Sequence, residues 1–326
     1  MQLVPNTGSQ LSNVEAAVLN TLIYFDLFHH PLTTDEIHHN CQWEKCSLSE
    51  VAASLEQLSA REIIEEKDGF WFITGQGHFV KIRSERTGRA LKFIRKAKRY
   101  SRFISKFPYV RGVFISGSLS KGTLDKKGDI DYFIITEPGR LWIARTFLVF
   151  FKKLFLLNSK KYFCVNYFVS SDNLEIPDRN LFVATEITFL MPMRGGELCN
   201  EFHRHNKWVE LFYPNRARSN ENAEPNVDSW FKKFAERMLD GKTGNKLENY
   251  FWRITVNRWK KKFPETDPEV FENRFRSRKN VSKHHPNGFQ QRVANALEDR
   301  RKQVGMNSGL HIPSAQWEWI CTRKED

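Results

Sequence analysis

Between residues 12 and 28 the apolar positions of SNVEAAVLNTLIYFDLF recur at helical spacing, and Ser12 stands where an N-cap is expected. His29-His30-Pro31 interrupts the pattern, after which Thr33 or Thr34 can cap a short second helix in LTTDEIHHN. A third helix is predicted over 47–60, where Ser47 and Glu50 are spaced as a capping box. Strand-like runs then take over at Glu62–Lys67 and Phe70–Thr74, joined by Asp68-Gly69, a strong hairpin turn.

The next segment is amphipathic and basic. Residues 81–106 carry eleven Lys or Arg against a single acid, Glu85, while Ile82, Ala90, Phe93, Ile94, Ala97, Phe103 and Ile104 keep one apolar helical face. Pro108 ends it. Such a helix serves either as a solvated connector or as a track for a polyanion, and the two roles are compatible. Val113–Ser116 and Asp129–Thr136 read as strands, Arg140–Leu157 as a long helix, Lys161–Ser170 as a third strand, and Leu181–Met191 as a helix stopped by Pro192. Residues 215–229 are polar and read as a loop. Three further helical stretches follow, and around Trp252, Arg253, Arg258, Trp259 and Lys260–Lys262 aromatic and basic residues interleave. That composition suits nucleic acid, although tryptophans of this kind belong more often to a core.

These elements divide the chain into four parts: an N-terminal helix–hairpin unit at 1–77, a basic connecting helix at 78–108, an α/β core at 109–214, and a helical basic region at 215–326. With 326 residues and 40% hydrophobic content, a globular protein of more than one domain is expected. The formal net charge of +13 points to polyanionic partners such as nucleotides or nucleic acid. Cys41, Cys46, Cys164, Cys199 and Cys321 are odd in number and show no CxxC pair, a usage suited to a reducing cytoplasm. No signal peptide is read in MQLVPNTGSQ, and the most apolar stretch, 141–157, is too short and too charged to span a membrane. A cytoplasmic location without membrane insertion is therefore expected. His29, His30, His38 and His39 lie near Cys41 and Cys46 without the spacing of a zinc site, and His203/His205 and His284/His285 form two further pairs. Neither a GxSxG elbow nor a Walker A loop is present, which disfavours a serine hydrolase or a P-loop ATPase.

The stretch richest in chemistry is Val110–Thr136, VRGVFISGSLSKGTLDKKGDIDYFIIT. Residues i and i+2 of a strand share a face, so Asp129 and Asp131 project to the same side. Two adjacent carboxylates repel, and a divalent cation relieves the repulsion; hard oxygen ligands suit Mg²⁺. Gly117 permits close backbone approach to a phosphate, Ser118 adds a hydroxyl, and Lys121 supplies a positive charge.

This constellation of Gly117-Ser118, a spacer of about ten residues and the triplet Asp129-Ile130-Asp131 resembles the nucleotidyltransferase superfamily of DNA polymerase beta and the minimal nucleotidyltransferases. The resemblance covers roughly residues 108–195. It implies a mixed-sheet α/β (α+β) core and transfer of a nucleoside monophosphate from an NTP to an acceptor hydroxyl. It also implies up to two Mg²⁺ ions held by Asp129 and Asp131, with Gly117, Ser118, Lys121 and Arg145 on the nucleotide phosphates. Arg145, in GRLWIAR, has equally ordinary roles as a surface arginine or as a helix–sheet ion pair. Polymerase-like members carry a third acid on the next strand; here that strand, KYFCVNYFVS, offers Asn166 as the third metal ligand, and an amide takes no proton at neutral pH. A third carboxylate then comes from Asp172, Glu175 or Glu186, or base catalysis is dispensable, or the domain is a non-catalytic nucleotide sensor or DNA-binding regulator. The N-terminal three helices and hairpin resemble a winged helix-turn-helix domain. Its third helix offers Glu50 and Glu56 with only Arg61 basic, a poor set for phosphate contacts, so packing or protein contact is the alternative to DNA.

Overall fold

The computed structural model describes residues 10–159, 161–216, 223–264, 267–284 and 288–313. Cys321 and His285 lie outside the described residues. In chain order come α1 (Asn13–Asp26), α2 (Thr34–His39), α3 (Leu48–Ala60), β1 (Ile64–Lys67), β2 (Phe70–Ile73) and α4 (Phe79–Ile104). The central stretch adds β3 (Val110–Ser116), α5 (Gly117–Ser120), β4 (Asp131–Thr136), α6 (Leu141–Phe155), β5 (Cys164–Ser170), α7 (Leu181–Thr188), β6 (Met191–Arg194) and α8 (Glu197–His205). A 3₁₀ turn at Lys207–Leu211 precedes α9 (Trp230–Met238), α10 (Gly241–Lys262), α11 (Pro268–Phe275), β7 (Ser277–Arg278), β8 (Val281–Lys283) and α12 (Phe289–Ser308).

The first three helices start where side chains can satisfy their free amides. Ser12, Thr33 and Ser47 each accept from the third helical amide, and Glu15, Glu36 and Glu50 reach back to close three capping boxes. β1 and β2 pair across Asp68-Gly69 as a two-stranded hairpin, to which Leu32 adds a single antiparallel bridge at Trp71.

The second sheet is mixed, with six strands in the order β6-β3-β4-β5-β8-β7. β3 runs antiparallel to β4 and β6, β4 runs parallel to β5, and β8 lies antiparallel to both β5 and β7. The parallel pair requires a crossover, which α6 supplies. Side-chain alternation then sorts the layers. Phe133 and Ile135 of β4 enter one apolar cluster with α1, α7 and α12, represented by Leu19, Ile187 and Leu297. Tyr132 and Ile134 enter the opposite cluster with α4, α6 and α10, represented by Ala97, Trp142 and Trp259. The first cluster also holds Ile37, Leu55 and Ile64, so the N-terminal helices and hairpin share one core with the sheet.

Two expectations differ from the structure. The helix anticipated over 181–191 ends at Thr188, and Pro192 lies inside the edge strand β6, opposite Phe114. An edge strand tolerates a proline because its outward side needs no amide donor. The region after residue 214 is also not wholly helical, because β7 and β8 extend the sheet beyond β5. Strands of two and three residues leave too little alternation to be read from sequence. Among the described residues no helix is long and apolar enough to cross a membrane.

Candidate active site

The site is assembled at the end of the sheet where β3 finishes and β4 begins. Ser116 pairs with Asp131 across the β3–β4 ladder, so Gly117 opens α5 directly beside that carboxylate. Gly117 has φ +69, and a Cβ built there would lie 2.6 Å from Asp131 Oδ2. Any other side chain would therefore both strain the backbone and displace the carboxylate. Ser118 is exposed at the mouth of the same turn. Lys121 reaches back across it, donating to the Gly117 carbonyl at 3.1 Å and pairing with Glu186 Oε1 of α7 at 2.8 Å.

Asp129 precedes the strand instead of belonging to it; Ile130, between the two acids, is tied to Lys161 and Cys164 by backbone hydrogen bonds. Asp129, Asp131 and Cys164 nevertheless present ligand atoms within 4.8 Å of one another. The β4–β5 ladder pairs Asp131 with Cys164 and Tyr132 with Val165, then skips Asn166 before Phe133 meets Tyr167. That bulge re-aims Asn166, whose amide Nδ2 donates to Asp131 Oδ1 at 3.0 Å. Two side chains of one strand thus converge on the same carboxylate.

Asp131 is electrostatically uncomfortable. Burial pushes its carboxyl up to about 7, the charge of Asp129 adds to the rise, and the hydrogen bond from Cys164 only partly offsets it. Burial also pushes the Cys164 thiol up, with Asp131 and Asp129 adding to it, so the sulfur stays protonated and donates to Asp131. The nearby Lys121 ammonium is already engaged by Glu186. An anionic pair short of positive charge is a fit for a divalent cation.

Of the acids considered as a third carboxylate, Asp172 is exposed and Glu175 pairs on the surface with Arg179 at 2.5 Å. Glu186 lines the cleft that holds the acid pair. Arg145 lines that cleft too, yet from the other layer: its guanidinium lies 4.9 Å from the Trp259 ring centroid and 5.6 Å from that of Trp142. Burial lowers it to about 10, and no carboxylate pairs with it among the described residues.

Two neighbours escaped the reading from sequence. Cys164 opens the very strand inspected for an acid, two positions before Asn166, and strand parity would have placed it on the same side. His30 is buried in the cleft wall, driven neutral by burial to about 4, with Nδ1 lacking any partner. No local motif marks it, because only the packing of α1 against the core brings it there.

The family model of the nucleotidyltransferase domain matches residues 94–178. No curated protein and no solved structure matches the chain. The matched stretch runs from the second half of α4 through β5 and includes Gly117, Ser118, Lys121, Asp129, Asp131, Arg145, Cys164 and Asn166. A nucleotidyltransferase domain implies a nucleotide as partner, and such domains generally use a divalent metal; the Asp129–Asp131–Cys164 cluster is the candidate place for one. The histidines and cysteines of the N-terminal unit form no comparable cluster among the described residues.

Proposed function

We infer that the protein transfers a nucleoside monophosphate from an NTP to an acceptor hydroxyl, releasing pyrophosphate, at the corner built by Gly117-Ser118 and Asp129-Asp131. The observation that carries this reading is the juxtaposition of Gly117 with Asp131, within which a single added carbon would touch the carboxylate. A phosphate chain resting on the α5 turn is thereby brought to the acid pair.

Asp129 and Asp131 are the residues that would hold Mg²⁺, as one ion or two. Bound there, Mg²⁺ would neutralise phosphate oxygens and charge developing in the transition state. Ser118 and the α5 amides contact the outer phosphates. Lys121, tied to Glu186 and to the Gly117 carbonyl, holds the turn in shape and adds positive potential. Asn166 and Cys164 both donate to Asp131 and fix the direction of its lone pairs. The three N-terminal helices and hairpin are read as a winged helix that acts by packing, since its apolar residues belong to the common core. The exposed cations of α4, among them Lys92, Arg95, Lys98, Arg99 and Arg102, make that helix the surface on which nucleic acid would rest.

A second reading, a nucleotide sensor without transfer activity, is favoured by one feature: β5 sets Cys164 and Asn166, not a carboxylate, against Asp131. Binding of labelled ATP, CTP, GTP and UTP with and without Mg²⁺ tests both. Transfer predicts Mg²⁺-dependent binding that Asp129→Ala/Asp131→Ala abolishes, followed by pyrophosphate release when an acceptor is supplied. Binding unchanged by that double substitution would remove the acid pair from the mechanism, and tight binding with no turnover would leave the sensor.

A further inference from the structure

The cleft of about 1560 Å³ is larger than the few hundred to about 1,000 Å³ of an ordinary small-molecule site. Its two sides differ in charge. At the α5 side the acids include Asp129 and Asp131, and two of the cations that line the cleft there are already used, Lys121 by Glu186 and Arg86 by Asp125. On the far side the cleft is lined by one face of α10 (Phe251, Ile254, Thr255, Arg258, Trp259, Lys262), together with α6 and α11. There Arg145, Lys153, Arg258, Lys262 and Arg274 all line the cleft with no carboxylate partner among the described residues. The acids on this side do not offset them: Asp178 is consumed by Arg276 and Lys283, at 2.7 and 3.3 Å.

Arg145 is the most telling of these cations. It is partly buried against Trp142 and Trp259 with no counter-charge among the described residues, an arrangement that an anion in the cleft would complete. It also lies in the layer opposite Asp131, so one triphosphate resting on the α5 turn does not account for it. β8 pairs with β5 only from Tyr167 to Val169, with flanking backbone bonds from His284 to Asn166 at one end and from Ser170 to Asn280 at the other. The start of β5, where Cys164 faces the acid pair, is left open between the two sides.

We propose that Arg145, Arg258, Lys262 and Arg274 form a second anion subsite, separate from the NTP site, that binds the phosphate groups of a nucleotide acceptor. Exposed Phe289 and Ile254 beside these cations offer apolar surface to the base or sugar. This rests on the transferase reading only for the word acceptor; binding of a second phosphate-bearing ligand does not depend on it. The shared chemistry is the nucleotide phosphate, whether of a free mononucleotide or of an oligonucleotide end.

The test uses the full chain at about 0.15 M ionic strength and two probes, a 5′-mononucleotide and a short 5′-phosphorylated single-stranded oligonucleotide. Each is titrated in the presence of saturating Mg²⁺ and a non-hydrolysable NTP. Wild type should bind at least one probe with salt-sensitive affinity; the tighter probe identifies the source of the phosphate. Arg258→Glu/Lys262→Glu, both exposed positions, should weaken it about tenfold or more while leaving Mg²⁺·NTP binding unchanged. Arg145→Met, which keeps the packing between the two rings, should give a comparable loss. Failure of wild type to bind either probe overturns the proposal, as does undiminished binding by the Arg258/Lys262 variant. Equal loss of Mg²⁺·NTP binding in that variant overturns it differently, by merging the two subsites. The transferase reading fails separately, through the Asp129/Asp131 variant.

Discussion

At the scale of single residues, Asp131 is where function and stability oppose one another. Its carboxyl is raised from the ordinary 3.8 to about 7 in the folded protein, so between those two values the folded state holds a proton that the unfolded state has lost. Stability in the absence of metal therefore falls as pH rises through that window, and the loss is complete above about 7. Asp131→Asn should raise the metal-free melting temperature at pH 8, by about 2–4 °C for each kcal/mol relieved, and change it little at pH 4. A melting series across pH checks the sign; a variant less stable than wild type at pH 8 would contradict it. Metal affinity should run the other way and strengthen with rising pH, because the proton and the cation compete for one carboxylate. Gly117 offers a second test at the same scale. Gly117→Ala adds left-handed strain of about 1–2 kcal/mol plus a contact with Asp131, whereas Gly122→Ala meets the same φ of +69 with nothing within 4 Å. Both should lower the melting temperature, and only Gly117→Ala should also weaken Mg²⁺-dependent nucleotide binding.

Among elements, the decisive join is between α6 and α10. The N-cap of α6, Arg140, makes no side-chain cap, and the free amides of Trp142 and Ile143 are instead taken by Glu248 of α10, at 2.8 and 2.9 Å. Glu248 is itself buried. Glu248→Ala would strand two buried donors, so a destabilisation of about 2–4 kcal/mol is expected, with Glu248→Gln recovering part of it. Denaturant unfolding measures both. A cost within a few tenths of a kcal/mol would mean that water or a neighbouring acceptor takes over. This cap lies more than a hundred residues away in sequence from the helix it closes, so no local motif announces it. The capping box of α3, by contrast, was read from Ser47 and Glu50; at α1 the Ser12 cap was read without its box, and at α2 the structure decides for Thr33 over Thr34.

For the molecule as a whole, the N-terminal unit is bound to the rest through specific polar contacts as well as a common core. Arg83 of α4 forms a two-bond fork with Glu36 at 2.7 and 2.6 Å and also reaches the Pro31 carbonyl. Arg300 of α12 pairs with Asp26 at 2.7 Å, and Arg301 donates to Asn20. Asp26 is raised above the ordinary carboxylate range, mainly by burial, with Arg300 opposing the rise. Removing that cation by Arg300→Met would leave a buried charge unpaired, at a cost of up to about 3–5 kcal/mol. The folded carboxyl would then titrate higher still, so the defect should shrink as pH is lowered and Asp26 becomes neutral in the folded protein. Urea unfolding at pH 5 and pH 8 distinguishes this from a pH-independent packing loss.

Much of the architecture was open to reading because it depends on neighbours in the chain. Asp129 stands before β4, outside the period of a strand, but the capping box of α3, the Asp68-Gly69 hairpin, the amphipathic face of α4 and the side taken by Asp131 follow from periods of 3.6 and 2 and from local hydrogen bonding. The same holds for Gly117-Ser118, whose spacing from the acids places both at one end of an antiparallel pair. Only the tertiary structure decided the rest. β6, β7 and β8 are too short to announce themselves, and each exists because a longer strand offers it an edge. The bulge that skips Asn166 in the pairing of β4 with β5 is a defect that single-strand periodicity cannot express. The layer in which Arg145 resides was decided by the packing of α6 against α10. Long-range packing sets which charges are buried together, and burial, more than residue type, sets what those charges do.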